Sequence, residues 1–211
     1  MKKISQFISV LFHPFFMVAF ATAVFFLFIP SELSVFEGFY VFDILFIVLG
    51  FTFLGIVVLY AIVKLGKPEA NLISFESMQG ETKEDRQWPL LFSAIIYFLM
   101  YYCLNNLKVV PTFIYLFIVG AIVQTIVAGI INLTWKISLH MIGIGGLCGA
   151  FLFIMLFRDS GGAPILAACF FIAGLIGTAR LYLQAHTPRQ ILAGFSISFL
   201  IQFSIFYFLL P

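Results

Sequence analysis

Arg180, His186 and Gln190 are spaced six and then four residues apart, just before a long apolar run. They join a permanent cation, an imidazole and an amide in a chain of which only 9% of residues are charged. Ionisable groups beside apolar spans are costly and mark functional sites. Two further polar stretches carry complementary groups: Arg86, in the stretch 79–89, and Lys136, Ser138 and His140, in the stretch 135–140. Three cations drawn from separate places suit an anion rich in oxygens, with phosphate the obvious candidate. A helix starting near Ser138 would add backbone N–H groups and a positive dipole end. Of two imidazoles, one can attack phosphorus while the other protonates the leaving oxygen, which is covalent catalysis through a phosphohistidine.

Positioning these groups requires elements that the composition identifies. With 63% hydrophobic and 18% aromatic residues, 29 of them Phe, the chain reads as an integral membrane protein. Its apolar runs reach the roughly 20 residues of a spanning helix rather than the alternating segments of about 10 that build a barrel. The expected fold is all-α: a polytopic transmembrane helical bundle of about six or seven spans, in a single membrane domain covering 1–211. Hydropathy places the spans at 8–29, 41–63, 89–105, 110–132, 140–157, 163–180 and 190–210. Lys2 and Lys3 precede an apolar run too long for a signal peptide's core, so 8–29 reads as an uncleaved span. Pro14 lies inside it and is a candidate kink.

Seven crossings bring 64–88, 133–139 and 181–189 to one end of the bundle, and with them all three polar stretches. Setting aside Arg86, Lys136 and Arg180, that end still carries six basic residues against two, Lys108 and Arg158, at the other. The positive-inside rule then makes the site's end cytoplasmic, in a plasma or inner membrane. The net charge of +2 is too small to suggest nucleic acid as a partner. Cys103, Cys148 and Cys169 lie in apolar spans without paired or metal-ligand spacing and read as inert thiols. No acidic cluster joins the histidines at ligand spacing, so neither a metal nor another cofactor is expected.

The three stretches resemble the type 2 phosphatidic acid phosphatase superfamily, whose motifs run K-x6-R-P, P-S-G-H and S-R-x5-H-x3-D. The third corresponds to Ala179, Arg180, His186 and Gln190, and the second to Ile137, Ser138, Leu139 and His140. In the first, Arg86 fits, Gln79 stands where Lys is expected, and Pro89 arrives two residues late. The likeness covers roughly 79–200. It implies that His186 is the nucleophile, that His140 is the acid for the leaving group, and that Arg86, Ser138 and Arg180 hold the phosphate. Lys136 has no counterpart in the motif, and its phosphate role rests on proximity. The implied partners are a lipid phosphate substrate and membrane lipids. Gln190 replaces the family's Asp, and Leu139 its Gly.

Structural roles are open at the same positions. Thr187, Pro188 and Gln190 have the form of a capping box, while Gln190, one helical turn after His186, is also placed to meet its imidazole. The Gln190 oxygen would accept the His186 N–H, whereas its NH2 would favour the opposite tautomer. Ser138 has the position of a plain helix cap. Arg180 and Lys136 have the character of interfacial anchors. His13, before Pro14, reads as a satisfied helix-end histidine, and Gly143, Gly145, Gly146 and Gly149 as helix-packing positions. Two other functions compete with the phosphatase: a family member that binds lipid phosphate without turnover, and a small transporter or structural bundle, which would bury ionisable groups midway along its spans.

Overall fold

The computed structural model describes residues 1–28, 38–66, 86–107, 110–158 and 162–210. Gln79, the departure from the first motif, lies outside them, as do Lys67, Lys83 and Lys108 from the charge count. The described residues form eight helices and no strand. These are α1 (Lys2–Leu11), α2 (Phe16–Phe28), α3 (Gly38–Gly66), α4 (Gln87–Asn105), α5 (Thr112–Asn132), α6 (Leu139–Phe157), α7 (Ala163–Tyr182) and α8 (Pro188–Leu209). Helices α3 to α8 each supply a span long and apolar enough to cross a membrane. The chain is an integral membrane protein with an all-α transmembrane bundle.

The expected first span, 8–29, is not one straight helix. It breaks between Leu11 and Phe16, and α1 meets α2 at 68°. Pro14 accounts for the break, since it has no N–H to continue the helical ladder. Counted as one bent span, the pair brings the crossings to seven. Helix α2 does traverse the core: the ring of Phe25, fully buried, packs on Phe113, Phe117, Phe151 and Phe206 at centroid distances of 4.6, 5.9, 5.0 and 6.5 Å. At its other end Met17 sits against Gly143 of α6.

Helix α6 is the central post, with most of its length buried, and it packs most extensively on α8. Small residues permit that approach. A Cβ on Gly145 would lie 2.5 Å from the Phe195 carbonyl oxygen, and one on Gly146 would lie 2.7 Å from the Gln124 amide oxygen. Polar contacts supplement the packing, as is usual where lipid gives no hydrophobic drive between helices. Gln124 of α5 donates to the Gln202 side chain of α8 at 2.8 Å, and Gln202 donates to the Leu116 carbonyl at 3.1 Å. The thiols of Cys148 and Cys169 also meet across α6 and α7, through a hydrogen bond that their sequence spacing does not reveal. Gly194 of α8 has the closest bearing on the site, because a Cβ there would lie 2.8 Å from the Ser138 carbonyl oxygen.

Candidate functional site

The three polar stretches converge at one end of the bundle. Arg86, immediately before α4, donates through Nη1 to the Ile137 carbonyl at 3.2 Å, which ties the first stretch to the second. Lys136, Arg86 and Arg180 all lie close enough to bear on the His186 imidazole. Arg180, His13 and His186 bear likewise on His140, and Arg86 on Arg180. The structure thus brings Arg86, Lys136, His140, Arg180, His186 and Gln190 within electrostatic or hydrogen-bonding range of one another, while Ser138 stands two residues before His140 at the start of α6.

Arg180 ends α7 and is 1% exposed, the largest fully buried side chain among the described residues. Its one hydrogen bond there, from Nη1 to the Ser9 hydroxyl, is 3.5 Å long, and its Nε is buried with no partner. A guanidinium so enclosed, with no carboxylate against it among the described residues, costs several kcal/mol unless an anion joins it. Ser138 adds a second such group. It occupies the N-cap of α6, but its hydroxyl makes no capping bond; at 0% exposure, Oγ has no partner among the described residues. The plain-cap reading of Ser138 therefore fails. Leu139, which replaces the motif glycine, packs with Ile137, Leu90 and Ile142 in a small apolar cluster.

The turn from α7 to α8 sets His186. Leu183 and Ala185 donate their N–H groups to the carbonyls of Ala179 and Arg180, and Gln184 takes a left-handed φ of 53° between them. Such a φ is uncommon outside glycine. It reverses the chain within five residues, so Arg180 and His186 belong to one rigid corner. Thr187 then opens α8 with a full capping box: its hydroxyl accepts from the Gln190 N–H at 3.4 Å, and its own N–H donates to Gln190 Oε1 at 3.0 Å.

That last bond decides between the two expected roles of Gln190, because it unites them. A backbone N–H only donates, so the atom facing it is the amide oxygen and not the NH2. The same Oε1 lies 3.1 Å from His186 Nδ1. Nδ1 must therefore carry the proton, and Nε2 keeps its lone pair. Burial pushes the His186 pKa down to about 3, with Arg86, Arg180 and Lys136 adding to the effect and the Gln190 bond opposing it. With no anion present, the imidazole is neutral at ordinary pH.

Two residues at the site escaped the sequence reading. Ser9 of α1 is 1% exposed, and its carbonyl lies 2.9 Å from His140 Nε2. His13 keeps the helix-end role expected of it, its Nδ1 accepting the Phe15 N–H at 3.4 Å, and it also presents its ring edge-on to His140 at a centroid distance of 5.8 Å. The one usable signal was Ser5 and Ser9, four apart and hence on one helix face.

Among the described residues, no group of three or more His, Cys, Asp or Glu side chains is placed to hold a metal ion. No Asp, Glu, Lys or Arg among the described residues is buried midway along a span. The fold and site define a membrane protein with a group of cations, Arg180 among them fully buried, around two imidazoles at one end of its bundle. No family model, no curated protein and no solved structure matches the chain.

Proposed function

We propose that the protein is a membrane phosphatase that hydrolyses a phosphate monoester or diphosphate on a lipid, as its likeness to the type 2 phosphatidic acid phosphatases implies. The observation that carries this reading is Arg180, a fully buried cation whose Nε has no partner among the described residues; the Ser138 hydroxyl, at the start of α6, is likewise buried without one. Those two donors, with Arg86 and Lys136 nearby, suit the oxygens of one phosphoryl group. In this reading the site, at the start of α6, the end of α7 and the start of α8, takes a headgroup whose chains stay in the bilayer.

In the proposed reaction the Nε2 lone pair of His186 attacks phosphorus, forming a P–N bond as the bond to the leaving oxygen breaks. His140, protonated on Nδ1 as well as Nε2 once the substrate's charge is in place, gives that oxygen its Nδ1 proton and regains one from the water that follows. Water then attacks phosphorus, the P–N bond breaks, and inorganic phosphate leaves. Burial, with the cations adding to it, keeps His186 unprotonated before substrate arrives, and substrate charge offsets the cations' mutual repulsion. Gln190 fixes the tautomer but brings no charge to stabilise an imidazolium. That supports a second reading, a lipid phosphate binder without turnover. The excess of basic residues at the site's end places the pocket on the cytoplasmic face in this proposal.

The test is release of inorganic phosphate, with chelator present, from micelles of phosphatidic acid, phosphatidylglycerol phosphate or a polyprenyl diphosphate. Release that His186→Ala abolishes supports the enzyme. Binding of these lipids with no release from any of them supports the non-catalytic reading.

A further inference from the structure

We infer that Ser9 of α1 is a positioning residue whose backbone carbonyl fixes the tautomer of His140. The inference rests on the proposed role of His140 as the acid for the leaving group.

Helix α1 has ten residues, too few to span a membrane alone. Its apolar residues Ile4, Phe7, Val10 and Leu11 are exposed, while Ser5 and Ser9 are buried. A helix that turns its serines inward is packed on something polar, and here that is α7 and the mouth of the site.

The break at Pro14 makes the Ser9 carbonyl available. In a continuous helix that oxygen would accept the His13 N–H. Instead, the His13 N–H goes to Val10 and the Phe12 N–H to Ile8, leaving the Ser9 oxygen among the orphan acceptors of a helix C-terminus. His140 fills that role at 2.9 Å. A carbonyl only accepts, so His140 Nε2 carries the proton and Nδ1 is the nitrogen left free in the neutral ring. The end of α1 also has the negative sense of a helix dipole, which suits an imidazole that must hold and release a proton. Arg180, His13 and His186 are the titratable and charged groups around that ring.

The carbonyl is held in place. Tyr97 of α4 donates its hydroxyl to the Pro14 carbonyl at 3.4 Å, and the Phe15 N–H donates to His13 Nδ1 at 3.4 Å. Met17 rests on Gly143, one turn beyond His140 on α6. The two imidazoles are thus held in complementary ways: Gln190 takes Nδ1–H of His186, and Ser9 takes Nε2–H of His140.

The chain has 3 His, so nitrogen NMR of the full chain, labelled at histidine and held in detergent, resolves each ring. His13→Gln and His140→Gln variants serve for assignment. His140 is expected as the Nε2–H tautomer. Val10→Pro forces the residue before it out of the helical conformation, which swings the Ser9 carbonyl off His140; Val10→Ala does not. The Nε2–H signature should be lost in Val10→Pro and kept in Val10→Ala, with the His186 resonances retained as evidence of folding. Phosphate release should show kcat down about tenfold or more in Val10→Pro with KM little changed, as expected for impaired proton transfer. An Nδ1–H tautomer at His140 in the unmodified chain would overturn the inference. So would an unchanged His140 signature in folded Val10→Pro. Should Val10→Pro not fold, the tautomer in the unmodified chain decides alone. A chain that releases no phosphate but shows the expected tautomers would overturn the enzymatic reading and leave the positioning intact.

Discussion

Gln190 Oε1 stands 3.1 Å from His186 Nδ1 and 3.0 Å from the Thr187 N–H. One oxygen therefore both closes the helix cap and sets the imidazole's tautomer. Gln190→Leu should cost about 1 kcal/mol of stability or less, since the Thr187 N–H loses its acceptor while the Thr187 hydroxyl still caps the backbone N–H of residue 190. It should also lower phosphate release by more than that destabilisation explains. Gln190→Glu keeps the acceptor and adds charge beside Nδ1, so its rate should equal or exceed that of the unmodified chain. Thermal melts and phosphate assays on the three proteins check this, and a slower Glu variant would argue against charge stabilisation of the imidazolium.

The depressed pKa of His186, about 3, gives the ligand-free protein a defined pH dependence. Between pH 3 and the unfolded value near 6.5, the unfolded chain binds a proton that the folded chain refuses. Stability should therefore fall as pH drops through that window, by up to about 1.4 kcal/mol per pH unit from this group. Melting temperatures in detergent from pH 7 to pH 4 should show the decline. His186→Gln should make the decline shallower, and an unchanged slope would place the titration elsewhere.

Arg180 separates binding from stability. Arg180→Met exchanges an enclosed cation for an apolar chain of similar reach, which is often neutral or stabilising when no partner charge is left behind. The variant should melt at or above the temperature of the unmodified chain without ligand. It should lose the added stability that inorganic phosphate or vanadate confers on the unmodified chain. Arg180→Lys should recover that effect only in part, since an ammonium lacks the planar fork.

Gly194→Ala tests how α8 positions the second stretch. The new methyl would lie 2.8 Å from the Ser138 carbonyl oxygen, so the backbone at the start of α6 must shift. We expect a cost of about 1–3 kcal/mol together with weakened phosphate binding. Gly145→Ala, against the Phe195 carbonyl at 2.5 Å, should cost as much stability while leaving phosphate affinity nearer that of the unmodified chain. The two variants are compared by denaturation and by phosphate titration.

The spans were legible because a membrane leaves few choices: long apolar runs must be helices, and alternating ends then bring Arg86, Lys136 and Arg180 to one side. The capping box at Thr187 was legible for a local reason, since its residues are three apart on one helix start. What the sequence left open at Gln190 was the direction of an amide, which turned on a single backbone N–H. Ser9 was out of reach, because a carbonyl has no side-chain signature and its availability depends on how sharply Pro14 breaks the helix. The place of His13 beside His140 was out of reach for a related reason, since it depends on the 68° bend between α1 and α2. The contact between Cys148 and Cys169 depends on the register of two helices, which spacing along the chain does not encode.

The most direct measurement is the covalent intermediate. The full chain, mixed briefly with phosphatidic acid and quenched in alkaline denaturant, should carry phosphate on the His186 imidazole, located by mass spectrometry of its peptides. The adduct should be stable to base, labile to acid, and missing from His186→Ala. Release of inorganic phosphate with no phosphorylated His186, or with the label on another residue, would contradict the account.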